Sequence, residues 1–184
     1  MKIAFRFLFC LLLTFTSYVA FGQTRLTVSQ ALDFWIGVTE EHVVNAAEAM
    51  PEEKYFFAPT KGEFTGVRTF GQQVKHLAAN NYRMAAYILG QTATPDQKSE
   101  TGPIAVQSKA QIMDYVKGSF VALHRAMAAI NEANMLEPMA SFPTSAQKTR
   151  LQLAEDVVAH SFDHYGQMVE YLRMNGIVPP ASRR

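Results

Sequence analysis

Cysteine is almost absent from this sequence of 184 residues: the single one, Cys10, lies in an apolar segment at the N-terminus. If that segment is removed during export, the remaining chain has no thiol. It then forms no disulfide, and it cannot be a thiol-nucleophile enzyme, a cysteine-ligated metal protein or a c-type cytochrome. An exported chain without disulfides must be held together by its hydrophobic core.

The chain also lacks an excess of charge of either sign, with 17 Lys and Arg residues against 16 Asp and Glu residues. No basic block suggests nucleic-acid binding, and no acidic tail suggests disorder. Hydrophobic residues make up 48% of the sequence, which at this length supports one domain with a proper core rather than two. We therefore expect one globular domain with no nucleic-acid partner.

The N-terminal segment has the layout of a secretory signal peptide. Two basic residues precede an apolar run over residues 7–15, and small residues stand just before Gln23. The run is short for a membrane span, which needs about 20 residues. We predict that residues 1–22 are removed and that residues 23–184 form a secreted or periplasmic domain. The alternative is an uncleaved N-terminal anchor.

Sustained strand alternation is missing from the sequence, whereas four segments have the apolar periodicity of helices. Clusters of Pro and Gly separate these segments, and Gly90 and Gly176 are placed to end two of them. The pattern predicts helices over about 27–50, 67–89, 108–134 and 144–175. Four such helices, each with one apolar face, make an all-α four-helix bundle.

Three histidines are expected to face the interior of this bundle. His160 and His164 are four residues apart on the fourth helix, so they share one face, at its border with the polar side. His76 lies at the edge of the apolar face of the second helix, in the same row as Gln73 and Asn80. Imidazoles in a bundle interior are costly unless they find partners.

A divalent metal would satisfy these imidazoles. Neutral imidazole is a good ligand for zinc and nickel, and three histidines leave one position open, as in catalytic zinc sites. The alternative is that the histidines bond to buried polar groups or lie at the surface. The pair is not a zinc-protease motif, because Ser161 follows the first histidine where that motif has Glu. The paired Glu-x-x-His motifs of di-iron bundles are also missing.

Three stretches of the sequence together resemble the DinB-like family, also called the DinB/YfiT-like metalloenzymes. They are "EAMPEEKYFFAPT" at the end of the first helix, "FGQQVKHLAANNY" on the second and "HSFDHYGQMVEYLRMNGIVPP" near the C-terminus. The resemblance implies a four-helix bundle, commonly in up-down-down-up order and often dimeric. It also implies a divalent metal held by His76, His160 and His164.

Characterised members of that family include thiol-dependent S-transferases and a thiol-dependent isomerase. The resemblance implies a similar type of reaction, without naming a substrate. Low-molecular-weight thiols are mainly cytoplasmic, so the expected export of this chain argues against thiol transfer.

Other polar residues are candidates for supporting roles. Asn80, one turn from His76, is the best candidate to contact bound water or substrate, and Asp163 can orient a ligand or lie in solvent. His42, on the apolar face of the first helix, either supports a metal ligand or lines a pocket, or it is a hydrogen-bonded histidine of the core or of an interface. His124 is expected to be solvated.

The leading functional hypothesis is an exported metal-dependent enzyme that activates water or a substrate nucleophile for hydrolysis or group transfer of a small molecule. A non-catalytic bundle that binds a metal or a small ligand is the second hypothesis. A metal-free bundle with structural histidines is the third.

Overall fold

The computed structural model describes residues 25–59, 66–139 and 148–183. Four α-helices make up this part of the chain, with the bounds α1 Val28–Ala49, α2 Phe70–Ile88, α3 Lys109–Ala128 and α4 Arg150–Met174. Within the same ranges no strand forms, apart from an isolated bridge between Pro138 and Thr149. The all-α prediction is confirmed. The predicted signal peptide lies outside the described residues.

All four helices begin with the same reciprocal cap. A Ser or Thr side chain accepts a hydrogen bond from the backbone N–H three residues later, and a Gln at that third position bonds back to the capping residue's own N–H. Each box satisfies two backbone N–H groups that have no partner within the helix. The pairs are Thr27 with Gln30, Thr69 with Gln72, Ser108 with Gln111 and Thr149 with Gln152.

The helices are arranged in up-down-down-up order. α3 is antiparallel to α1, because Lys109 at the start of α3 donates to the carbonyl of Met50 just after α1, whereas His124 near the end of α3 contacts Asp33 near the start of α1. α2 runs parallel to α3, and α4 runs antiparallel to α2 and parallel to α1. The contacts that fix these directions are Gly71 with Ile112, Asn81 with Ser119, Arg150 with Ile88 and His42 with Tyr165.

Two predicted helix boundaries are wrong. The third helix was expected to reach about residue 134 but ends at Ala128. The side chain of Asn131 accepts from the backbone N–H of Asn134, and Asn134 donates to the carbonyl of Ala129, so local side-chain bonds replace the helical ones. The fourth helix was expected to begin after residues 144–145 but begins at Arg150.

The bundle core contains large aliphatic and aromatic side chains from every helix. Ile36, Phe70, Phe120 and Leu153 are all fully buried. None of the helices in the described ranges is long and apolar enough to cross a membrane. On α2 the buried surface includes polar side chains as well, and these lead to the candidate site: Gln73, His76, Asn80 and Asn81.

His124 is less solvated than expected, because it joins α3 to two carboxylates of α1. Its Nδ1 lies 2.5 Å from Asp33 and its Nε2 lies 3.0 Å from Glu40. Burial lowers the pKa of His124, but the hydrogen bonds and charges of Asp33 and Glu40 raise it by more, and the net shift is upward. The protonated ring therefore stabilises the packing of α1 on α3.

We expect the His124→Gln variant to lose stability at low pH but not at high pH. A raised pKa in the folded state gives stability that is complete below the unfolded value of about 6.5 and is lost as pH rises through the folded value. Because the ring is partly exposed, the loss should be a few tenths to about 1 kcal/mol. Urea unfolding of both proteins from pH 5.5 to pH 9 measures it. The Glu40→Gln variant should show a flatter pH dependence, and a constant difference across this range would contradict the prediction.

Candidate metal centre

His76 lies two turns into α2, and its side chain is almost completely buried. Its Nδ1 is 2.9 Å from the backbone carbonyl of Glu100, in the loop between α2 and α3. A carbonyl only accepts, so His76 Nδ1 donates and its Nε2 keeps a free lone pair. The Glu100 carboxylate is 3.4 Å from the same Nδ1 and is paired with Arg68 at 2.7 Å.

The loop that carries Glu100 is packed closely onto α2. Gly102 has a φ of +70°, and a Cβ there would lie 2.7 Å from the Cβ of Lys75, so glycine is needed for both conformation and space. The Lys75 ammonium donates to the carbonyls of Pro103 and Val106. These contacts hold the Glu100 carbonyl against His76.

His160 and His164 stand one turn apart on α4 and face His76 across the α2–α4 contact. Their Nε2 atoms are 3.0 Å apart. The ring centroid of His76 lies 5.3 Å from that of His160 and 4.8 Å from that of His164. One nitrogen from each of the three rings lies within 4.8 Å of the others, so the structure brings together the three histidines that the sequence singled out.

A side-chain amide of α2 meets the outer nitrogen of each histidine on α4. Asn80 Nδ2 is 3.2 Å from His160 Nδ1, and Asn80 Oδ1 accepts from Arg83 at 2.5 Å. Gln73 Nε2 is 2.9 Å from His164 Nδ1. Because these amides are buried on α2, they fix how the α4 rings are turned.

The contact between Gln73 and His164 continues outward to the surface of α4. Gln73 also donates to the side chain of Gln167, which in turn donates to Asp163 at 3.0 Å. Asp163 is exposed, and its carboxylate is linked to His164 by hydrogen bonds through two glutamines.

All three rings are neutral at pH 7. Burial, then the charge of Arg68, lowers the pKa of His76. Burial, then His76 and Arg83, lowers the pKa of His160 to about 4, and burial, then His160 and His76, lowers that of His164 to about 4. A neutral imidazole has one lone pair for a ligand, so the donor set is ready at neutral pH.

These residues fit a divalent metal ion in donor type and in convergence. Nitrogen ligands about 2.0–2.1 Å from a tetrahedral ion stand about 3.3 Å from one another, close to the 3.0 Å between the two Nε2 atoms on α4. His76 already presents a lone pair with its other nitrogen bonded to a carbonyl, the usual arrangement of a metal-bound histidine. Zinc and nickel both suit such a set, and the geometry does not select between them.

Of the residues predicted to support the site, Asn80 contacts it and His42 lies apart from it. Asn80 contacts His160 rather than open solvent, and its role toward substrate stays a prediction. His42 bonds to the carbonyl of Val38 and packs its ring against Phe162 and Tyr165. In the described part of the chain its ring contacts do not include the three histidines. It lines a separate cavity with Tyr165 and Pro180, so its predicted role as a pocket residue concerns that cavity and stays a prediction.

Three contact residues of the centre had no predicted role: Gln73, Arg83 and Glu100. The row formed by Gln73, His76 and Asn80 on α2 was the available signal, since it already placed two amides beside the histidine. Arg83, one turn beyond Asn80, continues that row. Glu100 lies in a loop, and its hydrogen bond to His76 is made by its backbone carbonyl, so no helical pattern indicates it.

The DinB superfamily matches this chain over residues 37–168. That range is more than half of the sequence, and it contains His76, His160 and His164. Members of this superfamily are helical bundles and are often metalloproteins. No curated protein matches the chain.

Proposed function

The chain belongs to the DinB superfamily, and we propose that it is an exported enzyme whose three histidines hold a divalent metal for hydrolysis or group transfer. The observation that carries the proposal is the convergence of His76, His160 and His164 from two helices, with one nitrogen of each within 4.8 Å of the others. Two of these histidines are buried and the third is half-buried. Solvent therefore has limited access to the rings.

Each residue of the centre has a distinct task. A divalent ion supplies Lewis acidity and lowers the pKa of a water, hydroxyl or thiol that it binds. His76 is oriented by the Glu100 carbonyl, whereas Gln73 and Asn80 orient the two rings on α4. The protein supplies three neutral imidazole ligands and limits the access of solvent to them, and the small-molecule substrate supplies the group that reacts.

Elemental analysis of the untagged mature protein tests this proposal. After removal of metal and gentle refilling with zinc or nickel, we expect about one ion per chain. Turnover of a panel of esters, amides and thiol acceptors should then rise and fall with metal content. A protein that takes up no stoichiometric metal would refute the enzyme hypothesis.

A non-catalytic metal-binding or ligand-binding bundle is the second candidate. It is favoured by the side chains that contact His160 and His164, since these are amides rather than carboxylates, and an amide does not act as a general base. Full metal occupancy without turnover of any substrate in the panel would favour this candidate over the enzyme.

Export of the chain is a separate part of the proposal. The basic residues, the apolar run over 7–15 and the small residues before Gln23 support it. We expect the full chain, expressed in a bacterium, to appear in the periplasmic fraction with Gln23 as its N-terminal residue. N-terminal sequencing checks this, and a chain that keeps residues 1–22 in the membrane fraction would instead indicate an anchor.

A homodimer and a small-molecule substrate remain the proposed partners. The family resemblance is the reason to expect the dimer. Sedimentation of the mature protein measures its mass in solution, and a monomer at all concentrations would remove the dimer from the proposal.

A further inference from the structure

We propose that Arg83 forms an oxyanion-binding subsite beside the candidate metal centre, and that the substrate of this centre carries a carboxylate or phosphate group. This inference rests on the proposed function and names the class of substrate. Arg83 contacts the anionic group of the substrate and thereby selects it, whereas the group that reacts lies at the three histidines.

Arg83 lies one turn beyond Asn80 on α2, and the Asn80 amide connects it to His160. Arg83 Nη2 donates to Asn80 Oδ1 at 2.5 Å, and Asn80 Nδ2 is 3.2 Å from His160 Nδ1. The guanidinium is therefore one side-chain amide away from a candidate metal ligand. At this distance one small molecule can contact Arg83 with one group and reach the histidines with another.

The most accessible part of the centre is on the side of Arg83. His76 is 8% exposed and His164 is 5% exposed, whereas His160 and Arg83 are both half-buried. The histidine that is linked to Arg83 through Asn80 is thus the one that solvent reaches most easily. A small molecule that approaches the centre along the edge of His160 comes near the guanidinium.

Arg83 has no carboxylate partner among the described residues. None of the ion pairs formed by lysine or arginine in that part of the chain includes it. Its bond to Asn80 uses one of its several N–H donors, and its Nε is buried there without a hydrogen-bond partner. Partly buried charges are usually paired because they lose hydration. An oxyanion fits such a group, since a guanidinium can donate two parallel hydrogen bonds to it.

The acidic side chains near the centre do not neutralise Arg83. The Glu100 carboxylate lies 2.7 Å from Arg68 Nη2, so that pair is already balanced. Asp163 is exposed and accepts a hydrogen bond from Gln167 at 3.0 Å. The positive charge of Arg83 is therefore available to a ligand.

A divalent ion adds to this excess of positive charge. Its three histidine ligands are neutral, and their partners are the Glu100 carbonyl and the amides of Gln73 and Asn80 rather than carboxylates. Charges attract more strongly where solvent is limited than in bulk water. An anionic group beside Arg83 is therefore attracted by the guanidinium and by the ion together, whereas a neutral group of the same size is attracted by neither charge.

Anion binding to the metal-free protein is the direct test. The nitrogen-15 signal of Arg83 Nε, assigned by its loss in Arg83→Lys, is followed while acetate, inorganic phosphate or neutral acetamide is added at constant ionic strength. We expect acetate or phosphate to shift this signal with saturation, and acetamide to leave it unchanged. Tighter binding of acetate indicates a carboxylate substrate, and tighter binding of phosphate indicates a phosphorylated one. A signal that neither anion shifts, or that acetamide shifts equally, would overturn the inference.

Matched variants show whether the guanidinium itself binds the anion, with the side-chain amide signal of Asn80 as the readout. Hydrogen bonds to charged groups are the stronger ones, so Arg83→Gln should weaken anion affinity at least about 10-fold. Arg125→Gln removes the same charge from an exposed position on α3 and should stay within about 2-fold. Arg83→Lys keeps the charge without the planar fork, so it should lose less, and it provides the comparison if Arg83→Gln does not fold. Equal weakening in Arg83→Gln and Arg125→Gln would refute the subsite.

The zinc-loaded protein separates this inference from the proposed function. We expect an ester that carries a carboxylate to have a lower KM than the analogue in which that carboxylate is an amide. Arg83→Gln should raise the KM of the charged ester about 10-fold and leave that of the neutral ester nearly unchanged. Failure to take up zinc would refute the proposed function, and the subsite then stands or falls by the titration of the metal-free protein. A preference for the charged ester that persists in Arg83→Gln would overturn the subsite even in an active metalloenzyme.

Discussion

Replacing His164 with alanine is expected to abolish stoichiometric metal binding. His164 is buried, and its Nε2 is 3.0 Å from that of His160, so its removal leaves two donors and a cavity where the third stood. Changing a residue behind a ligand already costs about 10–100-fold in affinity, so losing a ligand should cost more than about 100-fold. Elemental analysis after refilling should fall from about one ion per chain to a trace, and His160→Ala should behave alike.

His42 and His124 provide matched controls for this experiment. Both are histidines on the same bundle, but neither contacts the metal centre in the described residues. The ring of His42 packs against Phe162 and Tyr165. The ring of His124 contacts Asp33 and Glu40. Their alanine variants should keep the metal. The zinc-dependent rise in melting temperature should likewise persist in these controls and disappear in His164→Ala, because an ion that binds only the folded state stabilises it. Metal retained by His164→Ala would contradict the three-histidine site.

The presence of the four helices was predictable from the sequence because helix formation depends on residues that are close together in the chain. Apolar residues recur at helical spacing, and three of the four N-terminal boxes begin at residues that stand just before or within a predicted boundary: Thr27, Thr69 and Ser108. The predicted start of the fourth helix is wrong because the sequence offers two candidate caps, one at residues 144–145 and one at Thr149. Thr149 forms a complete box with Gln152, and the predicted start at residues 144–145 overlooked it.

The convergence of the three histidines was predictable only in part. The spacing of four residues places His160 and His164 on one face, and the register of α2 places His76 at the edge of its apolar face. That these two faces meet follows from the antiparallel packing of α2 on α4, which no local pattern contains. The resemblance to the DinB-like family supplied that pairing.

The contacts behind the ligands could not be predicted from the sequence. The bond of Glu100 to His76 is made by a backbone carbonyl, which every residue carries. The amides of Gln73 and Asn80 were visible beside His76 on α2, yet they contact the histidines of α4 instead. Periodicity gives the direction of a side chain from its own helix, whereas its partner depends on the axial offset between two helices.

Among the variants proposed here, Phe70→Ala is expected to lose the most free energy of unfolding. Phe70 is the first residue of α2 and is fully buried, with its ring centroid 5.3 Å from that of Tyr55 and 6.5 Å from that of Tyr171. Truncating a buried phenylalanine costs about 3–5 kcal/mol through lost transfer free energy and the cavity that remains. Most domains are stable by only about 5–15 kcal/mol, so urea unfolding should show a large decrease in the midpoint.

Phe56 gives a matched control, since it is 75% exposed and lies between α1 and α2 in the sequence. The Phe56→Ala variant should stay within about 0.5 kcal/mol of the wild type, and Phe70→Leu should recover much of the loss because it refills the cavity. Gln73 and His76 follow Phe70 by one and two turns on the same helix, so a shifted α2 also displaces the metal centre. We therefore expect Phe70→Ala to bind zinc more weakly than Phe70→Leu. A Phe70→Ala protein as stable as Phe56→Ala would show that this ring does not anchor α2.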